Sequence, residues 1–191
     1  MSEKNEVARG DKSAAAVEPD DAVAVEQTIC CPSDDFKAGM RQLPGAVCVV
    51  GAAHEGARRG LTLTAICSVS IDPPSLLVCV NRNASAHDLI ALSGCFAANR
   101  LSTEHTAEAR VFSGQCGIDG DLRFAAERWG VLKTGAPVLN DAVAVFDCQV
   151  IDSVATKTHT VFVASVLAAR LNPSREPLIY LRGRYAKALA A

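Results

Sequence analysis

Two places in the sequence hold residue types with the chemistry to bind or turn over a ligand. The first is Gly60 to Ser85, GLTLTAICSVSIDPPSLLVCVNRNAS, where apolar runs are mixed with Thr62, Thr64, Cys67 and Ser68 and end in Asn81-Arg82-Asn83-Ala84-Ser85. Leu61 to Val69 is too polar for a strand buried on both faces, so it reads as one strand whose hydroxyls and thiol face a site. Ser85-x-x-Asp88 before Leu89, Ile90 and Leu92 matches a helix-capping pattern. A helix N-terminus surrounded by hydroxyl and amide groups favours an anion, phosphate being the natural candidate. The second place is His159, after Lys157-Thr158 at the entrance to the strand Thr160 to Val166. On residue type and position alone, it is a structural histidine at a strand edge.

Other chemistries lack their fingerprints. His54, His87 and His105 have no metal-like spacing, no H-E-x-x-H occurs, and no metal is expected. Neither G-x-G-x-x-G after a strand nor G-x-x-x-x-G-K-[ST] is present, which argues against a Rossmann domain and a phosphate-loop NTPase. There is no G-x-S-x-G elbow. The eight cysteines form no C-x-x-C pair, and several sit in apolar runs as small reduced hydrophobes.

The elements that must position these residues follow from the pattern of breaks and apolar runs. Phe36 to Leu43 is expected as a short helix, with Phe36, Met40 and Leu43 on one face, ended by Pro44-Gly45. Ala46 to Ala53 is an apolar strand, and His54 to Gly60 a polar turn completing a hairpin. Asp72-Pro73-Pro74 must bend the chain, because proline fixes φ and lacks a donor. Ser75 to Val80 reads as a buried strand, then the capped helix, then a strand from Cys95 to Leu101 interrupted by Asn99. Ser102 or Thr103 caps a further helix towards Phe112. Phe124, Ala125, Arg128 and Trp129 are expected in a helical segment, with Trp129 in the core or an interface. Strands Ala142 to Val150, Thr160 to Leu171 and Pro177 to Leu181 complete the chain. Many consecutive strands with few long helices favour a barrel, mainly β with short helices.

The composition, 49% hydrophobic over 191 residues, suits one domain with a substantial core. Residues 1–35 carry nine acidic and three basic side chains and are expected to be a disordered acidic tail before a domain spanning 36–191. The remaining 156 residues hold sixteen basic and twelve acidic side chains, a mild positive balance that suits anionic ligands. No dense basic patch with interleaved aromatics points to nucleic acid. No apolar run is long enough to span a membrane, and a soluble cytoplasmic protein is expected.

The central segment, together with RQLPGAVCVV (Arg41 to Val50), FAANRLS (Phe96 to Ser102), RFAAERW (Arg123 to Trp129), TGAPVLNDAVAVFDCQV (Thr134 to Val150), THTVFVASV (Thr158 to Val166) and LIYLRGRY (Leu178 to Tyr185), resembles the short-chain flavin reductases. These are the reductase components of two-component flavin-dependent monooxygenases, with an FMN-binding split-barrel fold. The resemblance implies hydride transfer from NADH or NADPH to FMN or FAD, with reduced flavin passed to a partner monooxygenase, in a homodimer. It implies that Thr62, Leu63, Thr64, Ala65, Cys67 and Ser68 surround the isoalloxazine and ribityl chain, that Ser85 and Arg82 hold the phosphate, and that Asn99 lies on a flavin-contacting strand. It puts His159 beside flavin and nicotinamide, and Arg184 or Tyr185 closing the site. Arg100, Lys157-Thr158, Leu63 and Ile66 depart from the usual pattern. The last two either narrow the flavin pocket or point into the core. A non-catalytic flavin carrier on the same fold is the alternative.

Overall fold

The computed structural model describes residues 30–124 and 127–188. The expected acidic tail up to position 29, and Ala125 of the expected helical segment, lie outside the described residues. Helix α1 is Ser33–Met40, with Asp34 and Asp35 at its favourable end. It begins three residues before the expected start, and Phe36, Met40 and Leu43 are all exposed, so their spacing does not mark a core face.

Strands β1 (Gly45–Ala46), β2 (Cys48–His54) and β3 (Ala57–Leu63) follow. The β2–β3 turn is only Glu55-Gly56, both at positive φ (48° and 82°), the two-residue geometry that matches strand twist. It is shorter than the expected polar turn. Arg58 and Arg59 therefore lie on β3, where both pair with Asp121 instead of a ligand. Strand β4 is Ile66–Ile71 and β5 is Pro74–Asn81, joined through the cis Asp72–Pro73 bond. Leu61 to Val69 is thus two strands and not one, broken at Thr64-Ala65.

Helix α2 (Ser85–Ser93) ends at Gly94, whose φ of 64° forms a left-handed C-cap. Strand β6 is Cys95–Arg100, and α3 (Thr106–Phe112) is entered through a 3-10 turn whose N-cap is Ser102. The expected helix around Trp129 is replaced by a 3-10 turn at Gly120–Arg123 and by strand β7 (Trp129–Gly130), which pairs with β8 (Val138–Leu139). Strands β9 (Ala144–Ala155) and β10 (His159–Leu171) are the longest, and the chain closes with β11 (Leu178–Leu181) and β12 (Arg184–Lys187).

Seven strands form one antiparallel sheet in the order β3-β2-β6-β9-β10-β5-β4. Side chains from all seven meet α2 in one apolar cluster that includes Val50, Leu63, Ile66, Val78, Phe96, Cys148 and Phe162. The sheet therefore curls around its own interior as a barrel. It is split, because β3 and β4 do not pair with each other and are joined only by Thr64-Ala65.

A second cluster covers the outer face of β2, β6 and the start of β9. Val47, Val49, Ala97 and Val145 pack there against Phe112, Phe124, Trp129, Val138 and Leu139. The three aromatic rings are mutually tilted or edge-on at 4.9 to 5.3 Å. Two buried polar side chains fix this layer. Asn99 Nδ2 donates to the carbonyls of Val49, Ala97 and Pro137, and its Oδ1 accepts from Leu139 N at 2.7 Å. Asp147 accepts from Lys133 N, Thr134 N and the Thr134 hydroxyl.

Charged groups close the layer's rim. His105 is fully buried, with Nδ1 bonded to Ser102 and Nε2 3.2 Å from Asp141, which also pairs with Arg128 and Arg175. Partial burial works against the Asp141 charge, but His105 and Arg128 outweigh it and hold the carboxyl below its ordinary range.

Candidate functional site

Among the described residues, nothing like the aromatic layer covers the outer face of the other half of the sheet, β10-β5-β4. Side chains alternate along a strand, and the register assigns them. Thr160, Phe162 and Ala164 are buried inside the barrel, so His159, Val161 and Val163 face outward. Their partners on β5 are Asn81, Cys79 and Leu77, and Leu77 in turn pairs with Cys67. Ala65 joins this row, because its carbonyl accepts from Cys79 N at 3.0 Å. The outer face thus gathers Cys67, Asn81 and His159 from three strands, with Ala65 from the bend before β4. Beyond it, the outer edge of β4 has no strand partner among the described residues, leaving its backbone donors and acceptors available there.

At the end of this face, Arg82, Asn83, His87, Asp88, Lys157 and Thr158 line a cavity of about 290 Å³. Arg82 and Lys157 form no ion pair among the described residues, whereas Asp88 is held by His87 Nδ1 at 2.8 Å. Ser85 stands beside it as the first residue of α2, exposed, its hydroxyl bonded to no described residue. The expected cap is not formed: Ala84 is the N-cap, Ser85 lies inside the helix, and Asp88 is engaged by the imidazole. That leaves Arg82 and Lys157 as two cations lining one space, with the Ser85 hydroxyl two residues along the chain from Asn83 at the start of α2, a set that fits a phosphate group. Lys157, read from sequence only as a departure, is the member that the spacing of motifs did not single out. His159 accepts or donates through Nδ1 to Thr158 Oγ1 at 2.9 Å, and its backbone N–H is held by Thr156 Oγ1.

Thr62, Leu63, Thr64 and Tyr185 gather elsewhere. With Val47, Ser113, Gln115 and Tyr180 they line a cavity of about 210 Å³ on the other side of the Thr64-Ala65 bend. Thr62 Oγ1 is engaged by the Ala109 carbonyl of α3 at 2.8 Å. Thr64 packs so closely on Gly45 that a Cβ there would sit 2.7 Å from it, which is why glycine occupies that position. Arg184 lines the neighbouring cleft with Tyr185. The bend is where the two groups of residues meet.

One expectation needs correcting. Asn99 is buried and its amide is consumed by the covering layer, so it does not stand with the other candidates. Leu63 and Ile66 both point into the barrel core, because the bend between them resets the alternation. Ser68 pairs with Leu76 but is itself exposed, and with Cys67 it borders an apolar cleft lined also by Ile66, Ile71, Phe146 and Arg100. The core thiols are inert: burial, opposed by Arg100, pushes Cys48 up to about 11, and burial reinforced by Asp147 pushes Cys148 up to about 12. Among the described residues, no group of three His, Cys, Asp or Glu side chains could hold a metal ion, and no helix is long and apolar enough to cross a membrane.

The profile of the flavin reductase like domain matches residues 40–189. The chain belongs to the flavin reductase like family. Within it, the chain is 40% identical over 151 residues to the FMN reductase (NADH) RutF of Agrobacterium fabrum, covering 79% of this chain and 86% of that one. Flavin reductase PheA2 superposes with a TM-score of 0.76 at 28% identity, covering 83% and 99% of the two chains. BorF, the flavin reductase component of a bacterial two-component tryptophan halogenase, superposes at 0.77 with 25% identity, covering 84% and 100%. The mainly β split barrel expected from sequence is the fold these flavin reductases share.

Proposed function

We propose that the protein is an NADH-dependent flavin reductase that reduces FMN and passes it to a separate oxygenase. The observation that carries this is the outer face of β10-β5-β4, with Ala65, Cys67 and His159 on one surface, Arg82 and Lys157 in the cavity at its end, and Ser85 at the nearby start of α2. The RutF name supports FMN and NADH, and the BorF title supports a two-component partnership. The flavin supplies the hydride acceptor and the reduced nicotinamide the hydride, so the protein needs to hold the rings together and supply no strong base.

In this assignment Arg82, Lys157 and Ser85 fix the phosphate end. Edge-strand groups at Ala65 and Cys67 hydrogen-bond the polar rim of the ring system, and His159 orients the ring edge or the nicotinamide. Thr62, Thr64, Tyr185 and Arg184 bound the space beyond the bend. Leu63 contributes from the barrel interior and Ser68 from the exposed cleft it shares with Cys67, and Asn99 braces the layer behind.

A homodimer covers the open face. Each register shift in this half of the sheet leaves an extra residue, and the three residues are Val69, Ile151 and Leu167, exposed by 51%, 59% and 40%. Bulges that turn branched aliphatics outward suit a partner surface. The free thiols of the described residues and the dependence on NADH suit the cytoplasm.

Aerobic oxidation of NADH and NADPH, without flavin and then with FMN, FAD or riboflavin, tests the activity. Flavin-dependent turnover with a preference for NADH and FMN is expected. Flavin binding with no turnover would favour a carrier.

A further inference from the structure

Between α3 and the β11–β12 hairpin lies a cleft of about 550 Å³, within the size range of small-molecule sites. Arg110, Arg184 and Lys187 line it, with no carboxylate in its wall and no ion pair to a described residue. Elsewhere in the described residues several arginines are neutralised: Arg123 by Asp119, Arg128 by Glu108 and Asp141, Arg175 by Glu104 and Asp141. Three cations left together in a concave site make a strong local field for an anion.

The cleft is continuous with the cavity beside the bend, since Gln115, Tyr180 and Tyr185 line both. Tyr180 is 39% exposed, and its ring is braced edge-on by Tyr185 at 5.4 Å. A braced, exposed aromatic face beside a set of unpaired cations is suited to a purine base carrying phosphates. Arg110 is near enough for its charge to act on the Tyr185 hydroxyl, which joins the cations and the aromatic pair in one site.

We infer that this cleft binds an adenosine diphosphate arm, with the phosphates on Arg110, Arg184 and Lys187 and the adenine against Tyr180. The assignment rests on the reductase activity proposed above, in which NADH carries such an arm and FAD is the other possible source; FMN has none.

The test uses the full chain and ADP itself as probe. ADP binding is followed by calorimetry, and its inhibition is measured against NADH, FMN and FAD separately. In Arg110→Ala and Lys187→Ala, ADP affinity should fall about tenfold, the loss of one charge-assisted contact, while unfolding curves match the parent. Arg110→Lys should recover part of the loss. If KM for NADH rises in parallel and KM for FMN does not move, the arm is that of NADH. If FAD affinity falls instead, with NADH and FMN unchanged, the arm is that of FAD. Absence of ADP binding by the parent, or variants that bind ADP as the parent does, would overturn the inference. ADP binding without flavin-dependent NADH oxidation would sink the reductase activity and leave the adenylate site standing.

Discussion

The two halves of the seven-stranded sheet are treated in opposite ways. On β3-β2-β6 and the start of β9, the outer face lies under an aromatic layer tied down by Asn99 and Asp147. On β10-β5-β4, the outer face is bare, with apolar residues at every bulge and the candidate binding groups among them. Both halves contribute buried side chains to the barrel interior, so the difference lies in the outer faces. A sheet edge left open is an aggregation hazard that folds ordinarily remove. Its retention on one side coincides with the face proposed above for binding, while the covered side is packed and hydrogen-bonded throughout.

Substitutions can break this contrast, and the largest effect is expected under the aromatic layer. Phe112→Ala should cost about 3–5 kcal/mol in denaturant unfolding, whereas Ile71→Ala, at a side chain 92% exposed, should stay within about 0.5 kcal/mol. Equal costs would mean that the bare half is as much a part of the folded monomer's core as the covered one. Val69→Asp combined with Leu167→Asp should turn dimers into monomers by sedimentation velocity with little loss of secondary structure.

A smaller effect should appear at the face itself. His159→Ala removes one positioning contact, about 1–1.5 kcal/mol, and turnover should fall roughly tenfold with an unchanged unfolding midpoint. A variant with parental kinetics would remove His159 from the site. Ser85→Ala should weaken FMN by several-fold and riboflavin hardly at all, because riboflavin lacks the phosphate; equal effects on both would remove Ser85 from the phosphate end.

The smallest change concerns the rim of the covered half. The folded-state carboxyl of Asp141 is held below its ordinary value of 3.8, so its stabilisation is complete above that pH and is lost as pH falls through the folded value. Asp141→Asn should therefore be less stable than the parent near neutrality, and the two unfolding curves should converge in acid.

Much of the fold was legible from residues alone, and the failures have physical causes. Breaks at Pro44-Gly45 and Asp72-Pro73-Pro74, and the apolar runs between them, located most strands because proline and glycine act locally. The bend at Thr64-Ala65 left no such mark. Leu61 to Val69 has a continuous strand composition, and only tertiary pairing with β2 on one side and β5 on the other divides it. Phe36, Met40 and Leu43 have helical spacing without a surface to bury against. Asn99 carried the type of residue a ligand uses, yet its partners are backbone groups far along the chain, at Pro137 and Leu139. His159 was recognisable only through family resemblance, since a lone histidine at a strand entrance has no local signature. The cationic cleft draws on positions 110, 184 and 187, which no motif connects.

The Thr64-Ala65 link has a mechanical consequence. Leu63 and Ile66 are the last residue of one edge and the first of the other, and three successive Cα steps of about 3.8 Å cannot separate them by more than about 11 Å. The slit in the barrel is therefore tethered at one point by covalent bonds rather than by contacts. Loosening elsewhere in the fold leaves that gap bounded, so thermal expansion or partial unfolding should alter the far reaches of the slit before its tethered corner.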